Sequence, residues 1–556
     1  MLGLLHRAAA PPHAAQERKQ SRVVAAVACA SHAGPRRNLC RGRRPARLCV
    51  VRAVHASEAA EAQDEEEDAE LLSATGGVEI KAVVKLHCTS LDPDWVNPWQ
   101  TRTAQRSTGS GVFIGRSEDG EWCTILTAAH VVANTTFVQV QLAGQPDKTT
   151  ARVKSVAHET DLALVEVPSS LFEGIQPLDV APGNTLPGLR EKVYVLGFPV
   201  GGDDLSITEG VVSRIEVQSY SHSHSRALAV TVDAAVNSGN SGGPVVSEES
   251  GLIIGVAFQG YAGSDIEGQG HMVPSPIIQR FLNAAGRNPG LPSLGVYLQL
   301  LQSPALRSRL RMSDAQTGVL VTSIEHGSCS DGVLRPGDVL LDLDGVQVAN
   351  DGTCLVLGRR LALAAVLHQR YFGDSLRLTV LRDGAITPLT VELLQTPGLV
   401  PRGQYDVTPP YYLCAGLLFQ PLCHEYLSTW NELKEAPPHL LVLHYDGVRN
   451  EQRTQVVMLT QVLADEANVG YSGESHGMDV VTHIDGAPVK DMTALVLAVQ
   501  KALAAKQPFI EIDTSRGDLV SRVVVDATQV EAANARIQAR YHVPELCSHH
   551  FRALLR

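Results

Sequence analysis

The chain has 556 residues, 44% of them hydrophobic and 19% charged, with a formal net charge of −12. That length calls for several domains, and that balance describes a globular protein rather than a disordered one. The acidic excess speaks against a nucleic-acid partner, and no apolar run approaches the about 18 residues that a transmembrane helix needs; peripheral membrane association stays open.

The first 53 residues carry eleven Lys/Arg (Arg7 to Arg52) against one acid, Glu17, which leaves the remainder at −22. An Arg- and Ala-rich, acid-poor start of this kind predicts an organellar transit peptide over 1–53, with processing after Val51-Arg52-Ala53. A basic nucleic-acid-binding arm is the other reading. Residues 54–77 contain the run Asp64-Glu-Glu-Glu-Asp68; like charges repel and stay solvated, so this reads as an acidic disordered leader.

From residue 78 to 288 short β-rich runs alternate with turns: Val83–Cys88, Gly111–Ile114, Thr124–Thr127, Thr136–Leu142, Leu162–Val167, Val193–Leu196, Val211–Val217, Leu228–Val232 and Ile253–Phe258. Ten to twelve such strands predict an all-β double barrel, closed by a helix from Ser275 to Ala285 with Ser275 as its N-cap. Three chemistry-bearing motifs lie on this frame: Leu126-Thr-Ala-Ala-His130-Val-Val, Glu159-Thr-Asp161-Leu-Ala-Leu and Val236-Asn-Ser-Gly-Asn-Ser241-Gly-Gly-Pro244. Serine is a competent nucleophile only with a base to take its proton and a carboxylate to orient that base. The glycines around Ser241 tolerate the positive φ that points backbone N–H groups at one spot. Asp161 is preferred over Asp179, Asp203, Asp204 and Asp233 because it alone follows the histidine at first-barrel distance and opens an apolar strand. His222 and His224, in Ser-His-Ser-His-Ser, read as a solvated loop and not as metal ligands.

Pro289-Gly-Leu-Pro292 marks a boundary. A β-rich module over 289–396 has Ser293-Leu-Gly-Val296, then Gly318–Ile324 and the tight turn of Val333-Leu-Arg-Pro-Gly-Asp338 before an apolar strand. A weak repeat of that order occupies 405–527, with Tyr412–Phe419, Val456–Thr460, Val480–Gly486 and a helix from Met492 to Ala505. A helical tail fills 528–556, from Gln529 to Arg540. Outside the first 53 residues the seven cysteines (Cys88, Cys123, Cys329, Cys354, Cys414, Cys423, Cys547) are scattered and odd in number, which is neither a disulfide framework nor a zinc site.

These motifs, with Ser110-Gly-Val-Phe-Ile114, Leu196-Gly-Phe-Pro199 and Ser206-Ile-Thr-Glu-Gly-Val-Val-Ser213, resemble those of the Deg/HtrA serine proteases over about residues 80–545. Asn97-Pro-Trp-Gln100, Gly210–Tyr220 and Val462–Tyr471 are similar to the chloroplast stromal branch. Ser238 stands where members usually carry proline, and Ala128 where many carry asparagine.

The resemblance implies a mainly β protein, a chymotrypsin-like double β-barrel followed by two PDZ-like domains. It implies an ATP-independent endopeptidase, without a cofactor, that hydrolyses unfolded or damaged proteins in the stroma or, alternatively, in a mitochondrion. Ser241 would attack, His130 would act as base and acid, Asp161 would orient it, and the amides of Gly239 and Ser241 would hold the oxyanion. Ala235, Val256, Ala257 and Phe258 would line the primary pocket; a small floor without an acid favours apolar side chains over Lys or Arg. Ser293, Leu294, Gly295 and Val296 would hold a peptide carboxylate, either a C-terminus or an internal segment. The second PDZ-like domain would hold a trimer or hexamer together, with Trp95 and Trp99 as trimer contacts or buried core. Gly197–Gly210, Ser219–Leu228 and Gln259–Gly270 would be the activation loops. The competing reading is a chaperone or scaffold with a resting protease domain.

Overall fold

A computed structural model describes residues 79–202, 204–260, 269–284 and 290–555; the expected transit peptide and acidic leader lie outside them. β1 (Val83–Ser90), β2 (Gln105–Arg116), β3 (Trp122–Thr127), the single turn α1 (Ala129–Val132), β4 (Thr135–Leu142), β5 (Thr149–Ala157) and β6 (Leu162–Pro168) build a first closed barrel of order β1-β2-β3-β6-β5-β4. β7 (Lys192–Gly197), β8 (Ser206–Ser219), β9 (Arg226–Val232), β10 (Pro244–Ser247), β11 (Ile253–Gly260) and β12 (Gly270–Pro274) close a second, of order β10-β11-β12-β9-β8-β7. Alternating apolar residues fill each interior; Val193, Val195, Val230, Val232 and Met272 are fully buried in the second.

The closing helix α2 (Ser275–Leu282) is shorter than expected and is entered from Pro274 in extended conformation, so Ser275 is its first helical residue and not its N-cap. Arg280 on this helix donates to the carbonyls of Gly290 and Arg370, and Tyr371 donates to the Arg280 carbonyl. The next module is thereby pinned to the barrels. It contains β13 (Val296–Leu300), α3 (Pro304–Arg309), β14 (Val319–Ile324), β15 (Val339–Leu343), β16 (Val346–Gln347), the hairpin β17 (Thr353–Val356) and β18 (Arg359–Ala362), the short α4 (Ala364–Leu367), β19 (Ser375–Arg382) and β20 (Ala385–Glu392). Its sheet runs β13-β14-β15-β19-β20, so β13 is an open edge. The expected Pro-Gly-Asp turn is present, with Gly337 at φ +100°. Asp338 is buried there against Arg382 at 2.7 and 2.8 Å.

The last module contains β21 (Tyr412–Cys414), β22 (Leu417–Pro421), α5 (His424–Leu427), α6 (Pro438–Asp446), β23 (Val457–Val462), α7 (Gly473–His476), β24 (Asp479–Ile484), β25 (Ala487–Pro488), α8 (Met492–Ala504), β26 (Phe509–Arg516), β27 (Leu519–Asp526) and α9 (Val530–Tyr541). Tyr412–Phe419 is a tight hairpin with Ala415 and Gly416 at positive φ. β21 covers the edge of β22. The tail covers β21 in turn, because Leu413 donates to the Leu546 carbonyl at 2.7 Å and Ser548 to that of Tyr411 at 3.0 Å. The edge where a peptide would add a strand is thus filled by the chain itself.

Trp95 is buried among Leu399, Leu422, Tyr426 and Trp430, and Trp99 packs edge-on against Tyr411. Both tryptophans are therefore contacts between the β1–β2 connection and the last module of their own chain. No helix of the described residues is long and apolar enough to cross a membrane.

Candidate active site

α1 begins after Ala128 and holds His130 at the junction of the barrels. β6 is preceded by a 3₁₀ turn that ends on Asp161 at φ +53°, a left-handed conformation that a short polar residue tolerates best. The Asp161 carboxylate is fully buried and takes two donors from one residue. The His130 backbone N–H lies 2.9 Å from Oδ1, and His130 Nδ1 lies 2.8 Å from Oδ2. With Nδ1–H fixed on the carboxylate, Nε2 is left as the acceptor. Burial works against protonation of His130, but the charge and hydrogen bond of Asp161 outweigh it and raise the pKa above the ordinary histidine value. Asp179 and Asp233 make no bond to His130, and Asp203 lies outside the described residues.

Ser241 sits on the turn between β9 and β10, half-buried. Its carbonyl accepts from Ser110 N–H at 2.8 Å, and a side chain on Gly109 would collide with Val131 and press on that carbonyl. The bare backbone of β2 therefore lets α1 and the serine turn meet across it. No hydrogen bond joins the Ser241 hydroxyl to His130 among the described residues, a looseness common in sites without bound substrate.

The peptide planes around Ser241 are fixed from both sides. The Ser238 carbonyl accepts from Val200 N–H at 2.8 Å, the Gly239 carbonyl from Ser110 Oγ at 2.7 Å, and the Asn240 carbonyl from Gly243 N–H at 2.9 Å. In trans peptides the N–H opposes the preceding carbonyl. The N–H groups of Gly239 and Ser241 are therefore turned away from these acceptors, and neither donates to another described residue. Gly239, at φ +101°, has no room for a Cβ against Phe198 and Val200. Two unengaged amides beside a serine hydroxyl form a cradle for a developing negative charge.

Ser110 was quoted in the sequence only as part of a motif, yet it is the hub of this turn. Fully buried, it donates from Oγ to Gly239, accepts Phe198 N–H at 2.8 Å, and receives Thr127 Oγ1 on its carbonyl at 2.7 Å.

Of the expected pocket residues, none is exposed. Ala235 is half-buried, with its carbonyl accepting from Thr208 at 3.3 Å. Val256 and Ala257 are fully buried, and Phe258 stacks on Tyr220 at 4.3 Å. Ala257 instead clamps the serine turn, accepting from Gly242 at 2.7 Å and donating to Gly243 at 3.0 Å.

The Ser-His-Ser-His-Ser segment is not a solvated loop, and sequence reasoning missed what it does. His222 is buried with its ring centroid 6.1 Å from that of His130; it pairs with His158 at 3.0 Å and stacks on Tyr405 at 4.0 Å. Tyr405 donates to the His222 carbonyl, and Asp406 bonds His158 at 2.9 Å and Asn134 N–H at 2.7 Å. Residues 244 to 276 positions downstream thus close over the back of the His130–Asp161 pair; the sequence holds no local signal for such a contact. Of the expected activation loops, Gly197–Gly210 is described except for residue 203, and residues 261–268 of Gln259–Gly270 lie outside the description.

In the first PDZ-like module the Ser293 and Leu294 carbonyls face the Cys329 thiol at 3.4 and 3.6 Å, and the Gly295 carbonyl accepts from Glu325 N–H at 2.8 Å. The Leu294 and Gly295 amides, which donate to no described residue, thereby point away from Cys329, and Val296 opens the free edge strand.

A family model of the trypsin-like peptidase domain matches residues 109–256, and one of the PDZ domain matches residues 400–550. The chain is 38% identical to "Protease Do-like 2, chloroplastic" of Arabidopsis thaliana, over 74% of this chain and 67% of the relative. It is 33% identical to "Protease Do-like 4, mitochondrial" of the same organism, over 76% of this chain and 77% of the relative. Among solved structures it is similar to an HtrA-type protease, AlgW, with a tripeptide, at 23% identity and a TM-score of 0.45, over 58% of this chain and 96% of that one.

Proposed function

The chain belongs to the Do-like serine proteases, the Deg/HtrA family, and on that footing we propose that it degrades unfolded or damaged proteins inside an organelle, without ATP and as a homo-oligomer. It is a serine endopeptidase. The observation that carries the reading of its site is the His130–Asp161 pair facing a serine turn with two unengaged amides. In the proposed mechanism Ser241 Oγ attacks the peptide carbonyl while His130 Nε2 takes its proton. The Gly239 and Ser241 amides receive the oxyanion, and His130 returns the proton to the leaving amine. Asp161 holds the tautomer and stabilises the imidazolium. Ala235, without an acid beside it, supports a preference for apolar side chains at the residue whose carbonyl is attacked.

The composition of residues 1–53 and the chloroplastic and mitochondrial relatives support import into an organelle, with the stroma as the proposed site and the mitochondrion as the alternative. The unengaged amides of Leu294 and Gly295 beside the open β13 edge support capture of a peptide carboxylate by the first PDZ-like module. A second reading, a resting enzyme that serves as scaffold, is favoured by one observation: the Ser241 hydroxyl is not bonded to His130. Digestion of casein by the chain and by Ser241→Ala separates them. Cleavage by wild type and a loss of about 10⁶ in kcat for the variant are expected; equal rates would assign the chemistry to another nucleophile, and no cleavage by either would favour the scaffold.

A further inference from the structure

The Ser238–Ser241 turn has two sides, and they differ in chemistry. On one side Ala257 of β11 clamps the turn, and Ala235 lies there as the proposed floor of the primary pocket. On the other side β2 runs back from Gly109, which abuts the Ser241 carbonyl, through Thr108 and Ser107 to Arg106. That second path leads into a cavity of about 620 Å³ whose wall includes Ser238 itself. A substrate whose acyl half lies over Ala235 and β11 must send its leaving amine the opposite way, across Ser238 and along β2.

Arg106, Lys148 and His87 line this cavity, with Phe137 and Val200 as its apolar walls, and no acid is among its lining residues. Phe137 and Val200 are 45% and 67% exposed, so the walls are free to meet a ligand. Lys148 donates to His87 Nδ1 at 3.4 Å, which leaves Nε2–H to donate to Gln141 at 2.7 Å; His87 is then neutral and serves to hold Lys148 in place. Arg106 and Lys148 have no carboxylate partner among the described residues, in a chain of net charge −12. Asp147 adjoins Lys148 in sequence but does not line the cavity.

We propose that this cavity is a subsite for the leaving-group side of the substrate, selecting chains that carry Asp or Glu within the two or three residues after the scissile bond. An extended chain advances about 3.3 Å per residue with side chains alternating between faces, so one of those residues is presented to the cavity. The apolar walls take its methylenes, and the two cations its carboxylate. Each exposed pair contributes modestly, so together they give about a three- to ten-fold preference at low ionic strength that fades as salt screens it.

The inference rests on the protease reading, and its test keeps the two apart. Internally quenched peptides with valine before the scissile bond and Glu, Gln or Lys as the second residue after it are cleaved by the full chain, and kcat/KM is compared. Glu is expected to exceed Gln, and Gln to exceed Lys, by about three-fold or more per step, with the spread shrinking in 0.5 M NaCl. Arg106→Glu/Lys148→Glu should reverse the order of the three peptides, with an unchanged circular-dichroism spectrum and Tm to report that the variant is folded; an unchanged order in a folded variant would overturn the subsite. Cleavage of all three peptides at equal rates would overturn the subsite and leave the protease standing. Cleavage of none by wild type would overturn the protease reading and the subsite with it.

Discussion

Ser110 shows how one hydroxyl sets the geometry of the proposed oxyanion cradle. Its Oγ bridges the Gly239 carbonyl and the Phe198 N–H, so the peptide that lies between the two free amides is held in place by a side chain that never meets substrate. Ser110→Ala leaves a buried carbonyl and a buried N–H without their partner, at about 1–3 kcal/mol for each unsatisfied group. Loss of one oxyanion donor elsewhere lowers kcat by about 10²–10³. A fall in kcat of about 10–10²-fold with KM little changed is therefore expected for Ser110→Ala on a neutral peptide; an unchanged kcat would show that the turn holds its shape without Ser110. The proposed triad residues were picked out in the sequence because each sits in a short motif with its own chemical logic. Ser110 was not, because its role depends on two segments 88 and 129 positions away.

The same contrast holds for the elements. Strands such as β1 and β6 announced themselves as short apolar, β-branched runs between turns, and they are buried along most of their length. β5 did not, since most of Thr149–Ala157 is exposed, and β10 is only four residues long. The helix over 492–504 was placed almost to the residue because Asp491 caps it through Ala494 N–H and its apolar face recurs at helical spacing. The β8–β9 connection defeated a composition-based reading, since serines and histidines describe a wet loop unless something covers them. Here Tyr405 and Asp406 do so, pinning the connection between the first barrel and the last module. Tyr405→Ala removes the ring stacked on His222 and the hydroxyl on its carbonyl, and the segment that follows Arg402 should then lift. Limited digestion by added trypsin of the inactive Ser241→Ala background is expected to cut after Arg402 several-fold faster with Tyr405→Ala than without it; identical cleavage patterns would mean that the cover is held by other contacts.

Across the whole molecule, the modules are joined by buried polar and aromatic contacts rather than strung on free linkers, and this exposes it to acid. Burial lowers the pKa of His222 and His444 to about 4 and of His368 and His424 to about 3, with neighbouring positive charge from His224 and Arg402 adding to it at His424 and His444 and from Arg280 at His368. Between the ordinary value near 6.5 and these folded values the unfolded chain binds protons that the native one does not, so stability is present above pH 6.5 and is lost as pH falls towards 4. His130, with its raised pKa, and Glu159 and Glu425, raised by burial, act in the opposite direction, but His224, His271 and His550 are lowered by burial as well, which makes seven histidines against three groups. Tm should therefore drop steeply between pH 7 and pH 5, and a flat profile would contradict these burials. Underneath lies the central claim that Ser241, activated by His130, is the nucleophile of this enzyme. Intact-mass and peptide mass spectrometry after treatment with diisopropyl fluorophosphate tests it most directly: one adduct, on Ser241, formed by wild type and lost in His130→Ala, is the result expected, whereas an adduct on another residue, or casein cleavage that survives with Ser241 unmodified, would contradict it.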